Sequence, residues 1–236
     1  MSGGCDTPVI ADITPASGPP RGQTTITIIG TNLGVAISDI VSVTVGERTC
    51  NVNDYSTGVR IVCMINDTSN DPSQGTVTVT INTSNGPVVA TSDLYTISIP
   101  TVESIIPSYG PVSGGTIVTI TGNNLDIGNK DNTRVLFRET TSNRRKRQSC
   151  PETECTIKSV DISNIVIVLL LLLYFSESSF NSSYLTCSSS MSGSSDCVMT
   201  VVVNIDGDEY SNDNERFMYT PDPEFTSVSP QEVIPA

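Results

Sequence analysis

The chain has 236 residues and a formal charge of −13, with twelve basic residues against 25 acidic ones and no histidine. A surface that acidic excludes nucleic acid, which needs a clustered basic face. The absence of histidine removes Ser-His-Asp and Cys-His nucleophile systems and His-ligated zinc, and no paired carboxylates, phosphate loop or metal cluster stands out, so neither catalysis nor a cofactor nor a metal is expected.

Valine, isoleucine and threonine recur in short alternating runs, a pattern that builds sheet. In chain order, residues 24–30, 41–45 and 61–64 read as strands, as do 76–81 and 88–90, with Asn85-Gly86 a hairpin signal between the last two. Cys50 and Cys63 flank a polar, turn-like stretch at 53–58, and a bridge between them would join neighbouring strands and stabilise by about 3 kcal/mol. Strands at this spacing, without helical periodicity, predict an all-β chain of immunoglobulin-like antiparallel sandwiches.

Those elements follow a motif that occurs twice and begins a third time. Ile13-x-Pro15-x-x-Gly18-Pro19, Gly22-x-Thr24 and Gly30-x-Asn32-Leu33 are matched by Ile105-x-Pro107-x-x-Gly110-Pro111, Gly114-Gly115-Thr116 and Gly122-x-Asn124-Leu125. Residues 225–230 begin a third copy. Self-similarity at a fixed period indicates an array of one module. The Pro-x-x-Gly-Pro start has too few N–H donors for a central strand and must be an entry turn or an edge-strand kink. The expected boundaries are 7–99 for the first module, 100–221 for the second and 222–236 for the truncated start of a third.

The second module is longer. Counting from the repeated prolines and back from the module end makes Cys155 and Cys187 the counterparts of Cys50 and Cys63, with insertions near 138–154 and 168–186. The first insertion holds Arg144-Arg145-Lys146-Arg147, four consecutive cations that read either as a furin-type convertase site cleaved after Arg147 or as a solvated basic loop. The second holds an eleven-residue apolar run at 165–175, too short to span a membrane. Residues 165–168 would supply the strand equivalent to 59–62. For the leucines beyond, a buried strand extension, a partner-binding patch and a misjoined exon remain, and the misjoined exon fits best because an exposed apolar run invites aggregation. Asp206-Gly207-Asp208-Glu209, with Asp213 and Glu215, lacks calcium-loop spacing and reads as a hairpin turn after a strand at 198–205.

Seven cysteines, sequons at Asn66, Asn82 and Asn181, and the basic run together indicate an oxidising, secretory compartment. Cys150 and Cys197 have no counterparts in the first module and are left for an additional bridge, with Cys5 left over for a partner upstream in a longer protein. No signal peptide opens the chain, which suggests a fragment of a longer protein or an incomplete gene model.

With Asp39-Ile40 and the closing Phe217-x-Tyr219-Thr220 added, these residues resemble the IPT/TIG module, and within that family the arrangement is most similar to plexins. Hepatocyte-growth-factor-receptor-like and fibrocystin-like proteins are the alternative. The plexin resemblance implies a non-enzymatic stretch of a cell-surface semaphorin receptor. Its semaphorin-type ligand would be bound by domains that this chain lacks, and its membrane span would lie downstream. The basic loop and the leucine run depart from the usual module.

Overall fold

The computed structural model describes residues 7–66, 76–83, 86–139, 150–162, 182–189, 197–224 and 226–227. Two modules of the same plan follow one another. The first contains β1 (Val9–Thr14), β2 (Ser17–Gly18), β3 (Thr25–Thr31), β4 (Ile40–Val45), β5 (Arg48–Ser56), β6 (Arg60–Asn66), β7 (Val77–Thr83), β8 (Gly86–Ser92) and β9 (Thr96–Ile97). The second contains β10 (Thr101–Ile106), β11 (Tyr109–Pro111), β12 (Ile117–Asn123), β13 (Arg134–Glu139), β14 (Thr153–Ile162), β15 (Ser182–Ser188), β16 (Val198–Ile205) and β17 (Asp208–Thr220). A single 3₁₀ turn precedes β4 at Ile37–Asp39 and β13 at Lys130–Asn132.

The strand orders are β1-β3-β6-β5-β4-β7-β8 and β10-β12-β15-β14-β13-β16-β17-β11. In each module one strand changes partners along its length. The start of β5 pairs with β4 and its remainder with β6, while β14 does the same with β13 and β15. That exchange turns one continuous ladder into two facing layers, an immunoglobulin-like sandwich. Alternate residues then meet in the core. Ile26, Ile28, Ile61 and Cys63 from one layer pack with Val43, Val45, Val77 and Val79 from the other. The second core adds an aromatic trio: Phe137 stacks on Phe217 at 4.9 Å, and Tyr219 meets the Phe217 ring edge-on at 5.2 Å.

Each motif position has a packing reason. The entry segments are edge pieces, β2 lying parallel to β9 and β11 parallel to the end of β17. A Cβ at Gly18 would run into the Tyr95 hydroxyl and Thr24, and one at Gly110 into Thr116 and Phe217. At Gly30 and Gly122 the obstacle is backbone, the carbonyl oxygens of Val9 and Thr101. Asn32 and Asn124 take left-handed backbone, φ 58° and 54°, which asparagine tolerates better than most residues. Their side-chain amides donate to Thr7 O and Ile99 O, at 3.3 and 3.0 Å, tying each strand end to the residue two positions before its module's first strand. The leucines that follow, Leu33 and Leu125, are fully buried.

Two sequence expectations are corrected. The stretch at 53–58 is mostly strand: β5 runs to Ser56, and the reversal comes at Thr57-Gly58. Its polar residues belong there because Asn51, Asn53 and Asp54 face solvent, where Asp54 pairs with Arg60, and Tyr55 uses its hydroxyl to hold Gly34 O (2.6 Å) and Gly58 N (2.9 Å). The counterpart of β6 is β15, not residues 165–168. Cys187 lies opposite Val118 as Cys63 lies opposite Ile26, so the paired register consumes Ser182–Ser188. The leucine run lies outside the described residues.

Because Gly122 meets backbone rather than a movable side chain, Gly122→Ala forces β10 and β12 apart. Chemical denaturation should show a loss of about 2–3 kcal/mol, and an unchanged midpoint would contradict this account of the motif glycine.

Candidate functional site

The modules meet end to end at a polar joint. The tip of the β16–β17 hairpin, Asp206-Gly207, turns with positive φ at both residues, 51° and 94°, the type I′ geometry that suits a two-residue hairpin. This tip is pushed against the entry loop of the first module. Asp206 O accepts from Gln23 N at 2.9 Å, Asp208 Oδ2 accepts from Arg21 N at 3.2 Å, and Ser17 O accepts from Gly128 N at 2.9 Å. Backbone from each module therefore satisfies backbone of the other, as buried strand ends require.

At the centre is the Asp206 carboxylate, only 5% exposed. Oδ2 accepts from the Thr24 hydroxyl at 2.8 Å and from Asn129 N at 3.0 Å, and Oδ1 accepts from Asn132 Nδ2 at 3.3 Å. A buried carboxylate is tolerated only when so supplied with donors. Thr24, fully buried, has one hydroxyl proton and gives it to Asp206, so the hydrogen-bonded phenol of Tyr95 must donate to the Thr24 oxygen in turn. The result is a relay across the joint from Tyr95 to Thr24 to Asp206. Burial pushes the Tyr95 phenol up to about 12, and the nearby Asp206 charge adds to the shift, so the donor stays protonated across the physiological range. Arg48, also buried, is the cation beside this group.

The acidic hairpin does not converge on a common point. Asp206 turns inward to the joint, Asp208 to Arg21 N and the Tyr210 hydroxyl, and Glu209 to Arg138. Two hydrogen bonds from Arg138 hold Glu209 below the usual carboxylate range. Arg138 also pairs with Glu152, and Glu139 accepts from Cys150 N at 3.2 Å, so both flanks of residues 140–149 are tied down. The basic run Arg144–Arg147 itself lies outside the described residues.

Cys50 and Cys63 are bonded across neighbouring strands, Cα atoms 5.4 Å apart, on the buried face of β5 and β6. Cys150 and Cys197 are bonded with Cα atoms 5.9 Å apart, joining the approach to β14 with the approach to β16. Cys155 is buried and disulfide-bonded, while the side chain of Cys187 and all of Cys5 lie outside the described residues. Asn66 and Asn82 are exposed, at the end of β6 and on β7, and Asn181 lies outside the description. Nothing in the sequence alone brings Thr24, Tyr95 and Asp206 together. Thr24 was visible as a repeated motif position and Asp206 as a turn residue, but the contact between them joins separate modules.

The profile of the IPT/TIG domain matches residues 8–99 and 100–219. Plexin A3 of Danio rerio is 30% identical over 230 residues, 96% of this chain and 10% of that protein. Plexin-B2 of Mus musculus is 38% identical over 140 residues, 57% of this chain and 7% of that protein. Among solved structures, the plexin A4 full extracellular region with domains 1 to 10 superposes with a TM-score of 0.68 at 28% identity, covering 97% of this chain and 17% of that one. The chain thus spans about a tenth or less of the curated relatives it matches.

The burial of Tyr95 at the joint carries a pH signature. A phenol raised from 10 to about 12 contributes stability that is complete below pH 10 and is lost as pH rises through 12. Unfolding of the wild-type chain should weaken across that window by up to about 2–3 kcal/mol more than that of Tyr95→Phe. Parallel pH profiles for the two proteins would show that Tyr95 does not titrate in this way.

Proposed function

The chain belongs to the IPT/TIG domain family, and on that premise we propose that its two modules are a non-enzymatic extracellular spacer in a receptor of the plexin type. In this reading a semaphorin-type protein ligand is bound by other domains of the longer receptor, a downstream segment spans the membrane, and the present modules set the distance and angle between those parts. Residues 222–236 begin a further module of the array, and Ser113 N already donates to Asp222 Oδ1 at 3.0 Å across that boundary.

The observation that carries the proposal is the buried joint. A flexible tether needs no shared interior, and linkers are ordinarily polar and solvated. Here a carboxylate of one module is sealed against a threonine and a tyrosine of the other, and its donors come from both. Removing either partner leaves a buried polar group unsatisfied, so bending the joint costs energy in every direction that separates Thr24 from Asp206. The bonded cysteine pairs suit an oxidising compartment.

Small-angle scattering tests the spacer role. The wild-type chain should fit a single end-to-end arrangement, whereas Asp206→Ala should require a spread of inter-module angles while each module keeps its own unfolding transition. A wild-type chain that already needs a broad angular spread would remove the proposal.

A further inference from the structure

Tension along the chain enters and leaves each module through strands that lie side by side. β1 runs antiparallel to β3 and passes through the entry turn into β2, which lies parallel to β9, Ser17 opposite Thr96 and Gly18 opposite Ile97. β3 begins beside Thr24, the residue that meets Asp206, so β1 runs toward the joint and β9 leaves the module there. Pulling on the two sides of the module therefore drags β2 backwards and β9 forwards. The hydrogen bonds between them lie across the line of force and share the load, instead of opening one at a time as in a peeled hairpin.

The second module repeats this plan with more ties. The entry ladders do not distinguish the modules, since β1–β3 and β10–β12 match pair for pair, bulge included. The exit strands do. β2 and β9 pair over two residues, with Thr96 N donating to Ala16 O at 2.9 Å and Ser98 N to Gly18 O at 3.1 Å. β11 and β17 pair over three, with Met218 N donating to Ser108 O and Val112 N to Thr220 O, both at 2.9 Å. The Thr220 hydroxyl also donates to Gly110 O at 3.2 Å. Earlier in β17, residues 212–215 leave the β16 register and reach the entering strand itself. Asn212 Nδ2 donates to Val102 O at 3.1 Å, and Glu215 Oε2 accepts from Ile105 N at 3.2 Å. β7 and β8 pair without such a break. Neither of the bridges Cys50–Cys63 and Cys150–Cys197 ties an entering strand to a leaving one.

We infer that the parallel pairs β2–β9 and β11–β17 are load-bearing clamps, and that the first module is the weaker link, unfolding under axial tension before the second. Forced unfolding follows the barrier to separation rather than equilibrium stability, so a few bonds loaded together outweigh their share in denaturant unfolding. The direction of the load rests on the spacer reading above, whereas the order of rupture is a property of the modules.

The test stretches single molecules of the whole disulfide-bonded chain, held by its two ends. About ten glycine and serine residues inserted at the exposed Gly46-Glu47 turn mark the first module by lengthening its step by about 3.5 nm. The marked step should come first in most molecules and at the lower force. Asn212→Ala with Glu215→Ala should lower the second module's rupture force and close at least half of the gap, leaving the first module's force unchanged. Should that variant fail to fold, Thr220→Val, which loses only the hydroxyl bond to Gly110 O, should lower the same force by a smaller step. Steps in the reverse order, equal forces, or a gap that survives these substitutions would overturn the inference. The spacer reading would then still stand on the single angle measured by scattering, and a broad angular spread there would remove that reading alone.

Discussion

The joint between the two modules is centred on one side-chain hydrogen bond, from the Thr24 hydroxyl to the Asp206 carboxylate, made where both groups are buried. Burying a carboxylate is costly unless every lone pair that loses water finds a donor. Asp206 meets that condition only in the joined state, because Asn129 and Asn132 come from its own module and Thr24 comes from the other. Separating the modules would expose the acid but would also strip the Thr24 hydroxyl of its acceptor. The joint is therefore specific in direction: apolar contact alone would tolerate sliding, whereas a single carboxylate oxygen 2.8 Å from a single hydroxyl does not.

The same motif serves two purposes at its two occurrences. Thr24 and Thr116 hold equivalent places beside Gly18 and Gly110, but the ring packed over the glycine is Tyr95 in the first module and Phe217 in the second. The phenol allows a relay at the joint, while the phenyl joins an aromatic cluster with Phe137 and Tyr219 inside its own module. One hydroxyl thus separates a position devoted to inter-module contact from one devoted to the core. At the second module's far end, the entry-loop backbone is held by Ser189, through Gly115 N to its carbonyl and Thr116 N to its hydroxyl, and Ser113 N reaches Asp222. The joint and the second module's far end are accordingly built from different donors.

Much of the fold could be read from residue types, since close approach and left-handed backbone leave a mark. Glycine at 30 and 122 and asparagine at 32 and 124 are demanded by backbone geometry, so they recur, and their recurrence exposed the repeat. Tandem all-β sandwiches followed from that spacing and from alternation in the strands. β5 was harder to see because its outward face is polar and its partner β6 supplies the pairing that composition does not suggest. β15 was misplaced because the strongly apolar run at 165–168 looks more strand-like than the Ser/Thr-rich segment that takes the position. Register against β12, a property of two strands, decides the matter. The joint was not legible at all. Thr24, Tyr95 and Asp206 are ordinary residues in ordinary turns, and their importance arises from a contact 182 residues apart in sequence.

A double-mutant cycle between the two modules addresses the central claim most directly. Thr24→Val and Asp206→Ala, separately and together, would be compared by denaturant unfolding of the whole chain. If the hydrogen bond couples the modules, the double variant loses less than the sum of the single losses, by about 1.5–3 kcal/mol as expected for a bond to a charged group. Losses that add, with no coupling beyond error, would mean that Thr24 and Asp206 stabilise their own modules independently and that the joint is held by something else.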